Sequence, residues 1–222
     1  MSYVLSALAA ALPPAAGWSV HGLFMRRRFE EARRDPLTGL LTRAPFEERA
    51  RKSLAQGQWR AVFLVDLDGF KAINDQLGHA AGDAVIRAVG QWLGEWAGTH
   101  GGFAGRLGGD EFVALTSVVG PSQSNLDNVH AQTMDLLHRL ERPVVFDGRS
   151  IDVRASVGIS RYWRGPADLP ELLRMADEHM YRAKREGGGA SIAPPRRMGS
   201  PMATVHGRRA GRRGTAVGGE AS

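Results

Sequence analysis

Two groups of acidic residues stand where the sequence pattern predicts the ends of β-strands. Asp66 and Asp68 follow the apolar run 61–65, which is typical of a strand buried on both faces. Asp110 and Glu111 follow a pair of glycines further along the chain. If the two strands adjoin, these carboxylates meet at one rim of the sheet and repel one another unless a cation neutralises them. Such a rim favours a hard divalent ion, Mg²⁺ or Mn²⁺, whose shell is completed by phosphate oxygens.

Two such ions on a triphosphate would polarise the reacting phosphorus and stabilise the departing pyrophosphate. The pair Gly108-Gly109 separates the short segments 103–107 and 110–115 and predicts a β-hairpin. Glycine also lets a ligand approach the backbone without a Cβ in the way. An ordinary hairpin followed by solvated acids has the same appearance, and Gly-Gly-Asp taken alone favours that interpretation.

The elements that must position these residues follow from the spacing of apolar side chains and from turn residues. Strands mixed with helices and an antiparallel hairpin predict an α/β sandwich with a mixed central sheet. In chain order we expect a helix over 42–56 capped by Thr42, strand 61–65, helices 70–77 and 82–96, strands 103–107 and 110–115, helix 124–141, a strand pair around Asp147-Gly148 whose second member is 151–159, and helix 169–185.

The charge of this 222-residue chain is unevenly distributed. The formal net charge is +6, of which residues 190–222 carry +5 and residues 1–34 carry +3, so that residues 35–189 carry −2. The central part therefore lacks the basic balance of a nucleic-acid-binding domain, and no specific nucleic-acid partner is expected. The chain has no cysteine, which excludes disulfides, thiolate metal sites and a cysteine nucleophile.

Residues 3–25 contain no Asp, Glu, Lys or Arg, and the cluster 26–28 of three arginines follows at once. This pattern predicts a single-pass anchor in the cell membrane, with the rest of the chain in the cytoplasm. Pro13-Pro14 interrupts the apolar stretch. The alternative is therefore a helix packed on a partner subunit or on the following domain of a cytoplasmic protein.

Residues 190–222 are rich in Pro, Gly, Ser and Arg and are predicted to form a disordered basic tail. The six arginines of this tail have no interleaved aromatic residues, which suits charge attraction to nucleic acid or anionic lipid without sequence readout. A solvated extension without specific function is the alternative.

Five motifs in order make the chain resemble the GGDEF family of diguanylate cyclases. The resemblance covers residues 35–187 and implies a catalytic domain over 35–189, with a ferredoxin-like core similar to class III nucleotide cyclases. The motifs are Asp35-Pro36-Leu37-Thr38-Gly39-Leu40, the run from Asp66 to His79 continued by Gly82-Asp83, the namesake Arg106-Leu107-Gly108-Gly109-Asp110-Glu111-Phe112, Ser156-Val157-Gly158-Ile159, and Ala176-Asp177 with Tyr181-Arg182-Ala183-Lys184.

The resemblance implies a signalling enzyme that condenses two GTP molecules into cyclic di-GMP and two pyrophosphates. Each protomer of a homodimer would present one GTP, and each active site would hold two Mg²⁺ or Mn²⁺ ions. The resemblance further implies that Asp66, the carbonyl of Leu67 and Asp110 bind the metal. Glu111 would assist at the metal site or help to deprotonate the attacking hydroxyl.

The resemblance also assigns residues to the nucleotide. Asn74 and Asp83 would read guanine, since a carboxylate accepts from N1–H and the exocyclic amine of that base; without the other motifs we would expect them to be capping or turn residues. The backbone N–H groups of Phe70 and Lys71 would hold phosphates at a helix start. Lys184 would add a cation, or else be a solvated lysine. Two aromatic residues of the motifs are expected in the core and not in the chemistry, namely Phe112 and Tyr181.

The sequence departs from the family pattern in two places. Family members often carry an inhibitory Arg-x-x-Asp motif shortly before the signature, and the matching positions here are Thr99 and Gly102. We therefore expect no inhibitory site of this kind. A second phosphate-binding Arg is common four residues after the lysine, where this chain has Gly188. That loss supports an alternative function, a weak or inactive GTP-binding regulatory module.

Overall fold

The structure, a computed structural model, describes residues 33–119, 122–162 and 168–194. The elements in these ranges follow from alternating apolar runs and helical repeats of apolar residues. They are β1 (Leu41–Thr42), α1 (Arg43–Ala55), β2 (Arg60–Leu67), α2 (Phe70–Leu77), α3 (His79–Thr99), β3 (Phe103–Gly108), β4 (Glu111–Ser117), α4 (Ser122–Leu140), β5 (Val144–Phe146), β6 (Arg149–Ile151), β7 (Ala155–Tyr162), α5 (Leu169–Arg185) and β8 (Gly189–Ile192).

The central sheet has the strand order β1-β3-β4-β2-β7-β8, and β5 pairs separately with β6. The pairings β3–β4, β4–β2 and β2–β7 are antiparallel, whereas β1–β3 and β7–β8 are parallel. The unit β2-α3-β3-β4-α4-β7 therefore has the βαββαβ arrangement of a ferredoxin-like core. The predicted α/β architecture with a mixed central sheet is confirmed.

Strand β2 is buried on both faces, which explains its uninterrupted apolar sequence. Phe63, Val65 and Leu67 pack in one cluster with residues of α3 and α4. Val62 and Leu64 pack in a second cluster with residues of α1 and α5. Each fully buried side chain of this size contributes about 1.5–3 kcal/mol, so the core holds the end of β2, where the acids begin, in a fixed place.

Helix α5 lies unusually close to β7 at Gly158. A Cβ built on Gly158 would lie 1.9 Å from the carbonyl oxygen of Ala176 and 2.2 Å from the backbone nitrogen of Met180. Backbone packed this closely to backbone has room for no side chain other than hydrogen. The height of α5 above the sheet therefore depends on this glycine.

The predicted strand over 151–159 is confirmed over 155–159, but its beginning is wrong. Ile151 ends β6, and β7 begins only at Ala155. Between them the carbonyl of Arg154 accepts a hydrogen bond of 2.9 Å from the N–H of Asp68. The link between the two sheets is therefore tied to the acidic end of β2.

The predicted tail begins too early. Strand β8 includes residues 190–192, and the N–H of Ala193 donates to the carbonyl of Ile159 at 2.7 Å. These residues extend the sheet because β8 pairs in parallel with β7. The rest of the predicted tail, from residue 195, lies outside the described residues.

The predicted membrane location requires a correction. In the part of the chain that the structure describes, no helix combines the length and the apolar character needed to cross a bilayer. The segment 3–25, on which the prediction of a single-pass anchor rested, lies outside the described residues.

Replacing Gly158 with alanine should destabilise the domain by about 2–3 kcal/mol, because the new methyl group overlaps backbone atoms of α5. Chemical denaturation followed by circular dichroism measures the change. The matched control is Gly98→Ala in α3, where a Cβ meets no atom within 4 Å and helix propensity favours alanine. Equal stability of the two variants would contradict the close packing of α5.

Candidate active site

The pairing of β2 with β4 brings the predicted acids to one rim of the sheet. Asp66 and Glu111 are directly opposite each other in the antiparallel register. The N–H of Leu67 donates to the carbonyl oxygen of Asp110 at 3.4 Å. Residues directly opposite in adjacent strands direct their side chains to the same face. Asp66, Asp110 and Glu111 thus lie around the junction of β2 with the hairpin.

The carboxyl of Asp110 lies partly buried and near the carboxyl of Asp66. Burial is the main reason that its pKa is raised; a hydrogen bond from its own backbone opposes this, the negative charge of Asp66 adds to it, and Lys184 and Arg106 have smaller opposing effects. A charge effect of Asp66 on Asp110 requires the two carboxyls to be close. An unbalanced negative charge at this rim is what a bound cation would relieve.

Lys184, near the end of α5, contacts this rim directly. Its Nζ donates to Oδ1 of Asp66 at 2.5 Å, and this hydrogen bond is the main reason that the pKa of Lys184 is raised. The Asp66 side chain is 14% exposed, whereas that of Lys184 is 47% exposed. The ammonium group therefore reaches a largely buried carboxylate from the solvent side.

The side chain of Arg106 stabilises the Gly-Gly turn through hydrogen bonds to its backbone. Its Nε and Nη2 donate to the carbonyl oxygen of Gly109 at 3.0 and 2.7 Å. Its Nη1 donates to both carboxylate oxygens of Asp35 at 3.1 Å. Gly108 and Gly109 both have positive φ, +145° and +53°, a conformation that favours glycine. Sequence reasoning noted Arg106 and Asp35 as motif letters but did not predict that they pair.

Asp35 also organises the turn that opens the domain. It accepts hydrogen bonds from the backbone N–H of Thr38 at 2.9 Å and from its hydroxyl at 2.7 Å. Burial acts to raise the pKa of Asp35, but the hydrogen bonds from Thr38 and Arg106 outweigh it, so the pKa is lowered. The first and third motifs of the sequence therefore form one hydrogen-bonded unit.

Asp68 lies beside the rim and not in it. Its Oδ1 accepts from the hydroxyl of Ser156 at 2.8 Å, and its Oδ2 is buried without a partner among the described residues. A Cβ at Gly188 would lie 3.1 Å from that Oδ2, and Gly188 has φ +104°. A side chain at this position would be strained and crowded, which gives a physical reason for the absence of the second Arg.

The other residues predicted to hold the nucleotide lie on α2, which follows β2, and on α3. Gly69 precedes α2 with φ +70°, so the first N–H groups of the helix, those of Phe70 and Lys71, lie just beyond the acids. Asn74 packs on the backbone of α3, because a Cβ at Gly82 would lie 2.0 Å from its Oδ1.

Asp83 follows Gly82 on α3. The Asp83 side chain is 54% exposed, with Nη2 of Arg87 3.9 Å away. Asn74 and Asp83 therefore lie on adjoining helices, α2 and α3.

Over residues 32–190 the sequence matches the family described as diguanylate cyclase, GGDEF domain. The chain belongs to the GGDEF family. This agrees with the resemblance drawn from the motifs, all of which fall within the matched range.

Three relatives illustrate the match. An uncharacterized 19.3 kDa protein of Streptomyces ambofaciens is 45% identical over 177 residues, which is 79% of this chain and 91% of that protein. The diguanylate cyclase TpbB of Pseudomonas aeruginosa is 35% identical over 166 residues, which is 72% of this chain but 37% of TpbB. The crystal structure of a sensory box/GGDEF family protein from Caulobacter crescentus CB15 matches with a TM-score of 0.63 at 36% identity, covering 70% of this chain and 100% of that one.

The donor set of this GGDEF domain fits a hard cation only in part. Asp66 and Asp110 supply carboxylates that repel each other, and the carbonyl of Leu67 lies between them in the sequence. Oxygen donors of this kind suit Mg²⁺ or Mn²⁺. Within residues 33–119, 122–162 and 168–194, however, no three Asp, Glu or His side chains are gathered closely enough to hold an ion by themselves. Further oxygens would have to come from a ligand.

Two sequence expectations have structural outcomes in the GGDEF domain. Phe112 is fully buried, as expected, but Tyr181 is 63% exposed and is not a core residue.

At the positions of the family's inhibitory motif, a Cβ on Gly102 would lie 1.9 Å from the carbonyl oxygen of Leu115. A carboxylate side chain at position 102 has no room without a backbone shift.

Replacing Asp35 with asparagine should lower the free energy of unfolding by about 2–3 kcal/mol at neutral pH, because charged hydrogen bonds are lost. Since the pKa of Asp35 is lowered on folding, its contribution is present above its ordinary value and is lost as the pH falls through its folded-state pKa. The difference from wild type should therefore shrink below about pH 4. Glu48→Gln, which removes an exposed ion pair, should leave the unfolding midpoint nearly unchanged in the same urea titrations.

Replacing Asp110 with asparagine should stabilise the metal-free protein at pH 7–8. The raised pKa means that stability is favoured below the ordinary value of the carboxyl and is lost as the pH rises through its folded-state pKa. Thermal unfolding in a chelator should show a higher Tm for Asp110→Asn at pH 7.5 and a smaller difference near pH 4. Asp127→Asn, which replaces an exposed acid on α4, is the control. A lower Tm for Asp110→Asn at pH 7.5 would contradict the raised pKa of Asp110.

Proposed function

We propose that this chain is a diguanylate cyclase, which condenses two GTP molecules into cyclic di-GMP and releases two pyrophosphates. The observation that carries the proposal is the approach of Asp66 and Asp110 at one rim, with the Lys184 ammonium on Asp66. Two neighbouring carboxylates beside the half-exposed ammonium of Lys184 suit a ligand that brings both divalent ions and phosphates. The name of TpbB, a diguanylate cyclase, supports the same activity.

The reaction forms one phosphodiester bond in each of two equivalent steps. The 3′-oxygen of one GTP attacks the α-phosphorus of the other, the bond from that phosphorus to the β-phosphate bridging oxygen breaks, and the hydroxyl proton is lost. Two bound Mg²⁺ or Mn²⁺ ions would neutralise the phosphate oxygens and the developing negative charge. Asp66, Asp110 and the Leu67 carbonyl are the residues that would hold them.

The protein's own groups position the nucleotide. Lys184 and the N–H groups of Phe70 and Lys71 would bind the triphosphate, in the manner of phosphate at a helix start. Gly108 and Gly109 leave the turn without side chains where the nucleotide approaches. No covalent bond to the protein is needed, so catalysis rests on position and charge.

Two further roles concern specificity and the proton. Asn74 and Asp83 would select guanine, because their oxygens can accept from N1–H and the exocyclic amine, which adenine does not offer as a pair. Glu111, opposite Asp66 in the register, would assist the metal site or receive the proton of the attacking hydroxyl.

A homodimer completes the proposal. One rim presents one GTP, and the attacking hydroxyl belongs to a second GTP, so two copies must face each other. A twofold axis between the copies makes the two bond-forming steps equivalent.

A second candidate is a regulatory module that binds GTP but turns it over slowly or not at all. Gly188 favours it, because the second phosphate-binding cation is missing and the backbone there disfavours any other side chain. Loss of one charge-assisted hydrogen bond would weaken GTP binding by about 1.5–3 kcal/mol.

Incubation of the purified dimer with GTP and Mg²⁺ or Mn²⁺ tests the two candidates. We expect cyclic di-GMP and pyrophosphate by liquid chromatography, none from ATP, and at least a roughly 100-fold loss of turnover in Asp110→Asn. Asp127→Asn should retain turnover. Calorimetric binding of GTP with no product from a dimeric sample would favour the regulatory module, and full activity of Asp110→Asn would refute the assigned metal site.

A further inference from the structure

Without any ligand, the Lys184 ammonium group serves as the counter-ion of the acidic rim. Its Nζ donates to Oδ1 of Asp66 at 2.5 Å. The oxygen that it contacts belongs to the carboxylate proposed to bind metal. Lys184 and a divalent ion would therefore share one carboxylate, and because two positive charges on it repel each other, they compete for Asp66.

The structure lets the ammonium move while its backbone stays fixed. Ala183, the residue before it, is 1% exposed, and α5 is fixed against β7 by the close contact at Gly158. The Lys184 side chain itself is 47% exposed, and four rotatable bonds separate Nζ from the backbone. The ammonium can leave Asp66 without disturbing the helix.

We propose that Lys184 is an internal counter-cation that competes with the divalent ion for Asp66 and couples metal binding to nucleotide binding. This inference rests on the proposed function for the identity of the two ligands. In the free protein, a divalent ion that binds Asp66 weakens the ion pair of that carboxylate with the ammonium and favours displacement of the ammonium. When a triphosphate is also present, the displaced ammonium gains phosphate oxygens in place of Asp66.

The coupling follows from linkage. Metal binding frees Lys184 for the phosphates, so it strengthens nucleotide binding, and nucleotide must strengthen metal binding by the same factor. A lysine that only bound phosphate would have no effect on metal binding in the absence of nucleotide. Metal affinity of the nucleotide-free protein therefore separates the two roles.

The test is Mn²⁺ binding to the full-length, nucleotide-free protein, measured by calorimetry and by the electron paramagnetic resonance signal of free Mn²⁺. Lys184→Gln should bind Mn²⁺ about two- to fivefold more tightly than wild type, the range expected for loss of a partly exposed ion pair. Arg182→Gln, which removes one exposed positive charge from the same helix, should bind within twofold of wild type. Circular dichroism checks that both variants are folded.

A double-mutant cycle assigns the effect to Asp66. In an Asp66→Asn background, Lys184→Gln should no longer tighten Mn²⁺ binding, since the side chain at position 66 carries no negative charge for the two cations to share. A second titration with a non-hydrolysable GTP analogue should show that Mn²⁺ improves analogue binding less in Lys184→Gln than in wild type.

The outcomes are decisive for the inference. Unchanged or weaker Mn²⁺ binding in Lys184→Gln, an equal gain in Arg182→Gln, or no Mn²⁺ binding by either Lys184→Gln or wild type would each overturn it. The proposed function is judged separately, by product formation. Tighter Mn²⁺ binding in Lys184→Gln with no cyclic di-GMP from wild type would support the role of Lys184 and reject the cyclase. Cyclic di-GMP from wild type with unchanged Mn²⁺ binding in Lys184→Gln would support the cyclase and reject this role of Lys184.

Discussion

The hydrogen-bonded register between β2 and β4 is the constraint on which the site depends. It sets Asp66 opposite Glu111 and brings the N–H of Leu67 to the carbonyl of Asp110. A slip of one residue would turn every side chain of a strand to the other face. The buried side chains of β2 oppose that slip, so the hydrophobic core supplies the free energy that keeps like charges together.

Two carboxylates of the site are each paired with a cation from a distant part of the chain. Lys184 reaches Asp66 from a position 118 residues later, and Arg106 binds Asp35 from 71 residues later. Arg106 fixes the turn through a carbonyl, whereas Lys184 neutralises a carboxylate that a ligand can also use. One cation is thus structural, with side chains of the pair 15% and 17% exposed, and the other is open to exchange.

The sequence allowed much of this arrangement to be predicted, because local patterns carry it. The last helix was predicted with its observed ends, Leu169–Arg185, and the acids were expected to meet. Strand β8 was missed because its flanking glycines indicated a helix end and its composition resembled the tail. Tyr181 was placed in the core because motif membership says nothing about which face of an amphipathic helix a residue occupies. The pairing of Arg106 with Asp35 depends on tertiary geometry, which no local pattern encodes.

The glycine at position 158 has a consequence for how variants of this protein should be interpreted. It lies in the core opposite Leu64 and has no side chain, yet it sets the distance of α5 from the sheet. Lys184 lies in the last turn of that same helix. An outward displacement of α5 at Gly158 would therefore also move the backbone of Lys184 away from the sheet. A natural variant at this interior position would therefore resemble a substitution in the active site, because the ammonium of Lys184 would lie too far from the Asp66 carboxylate.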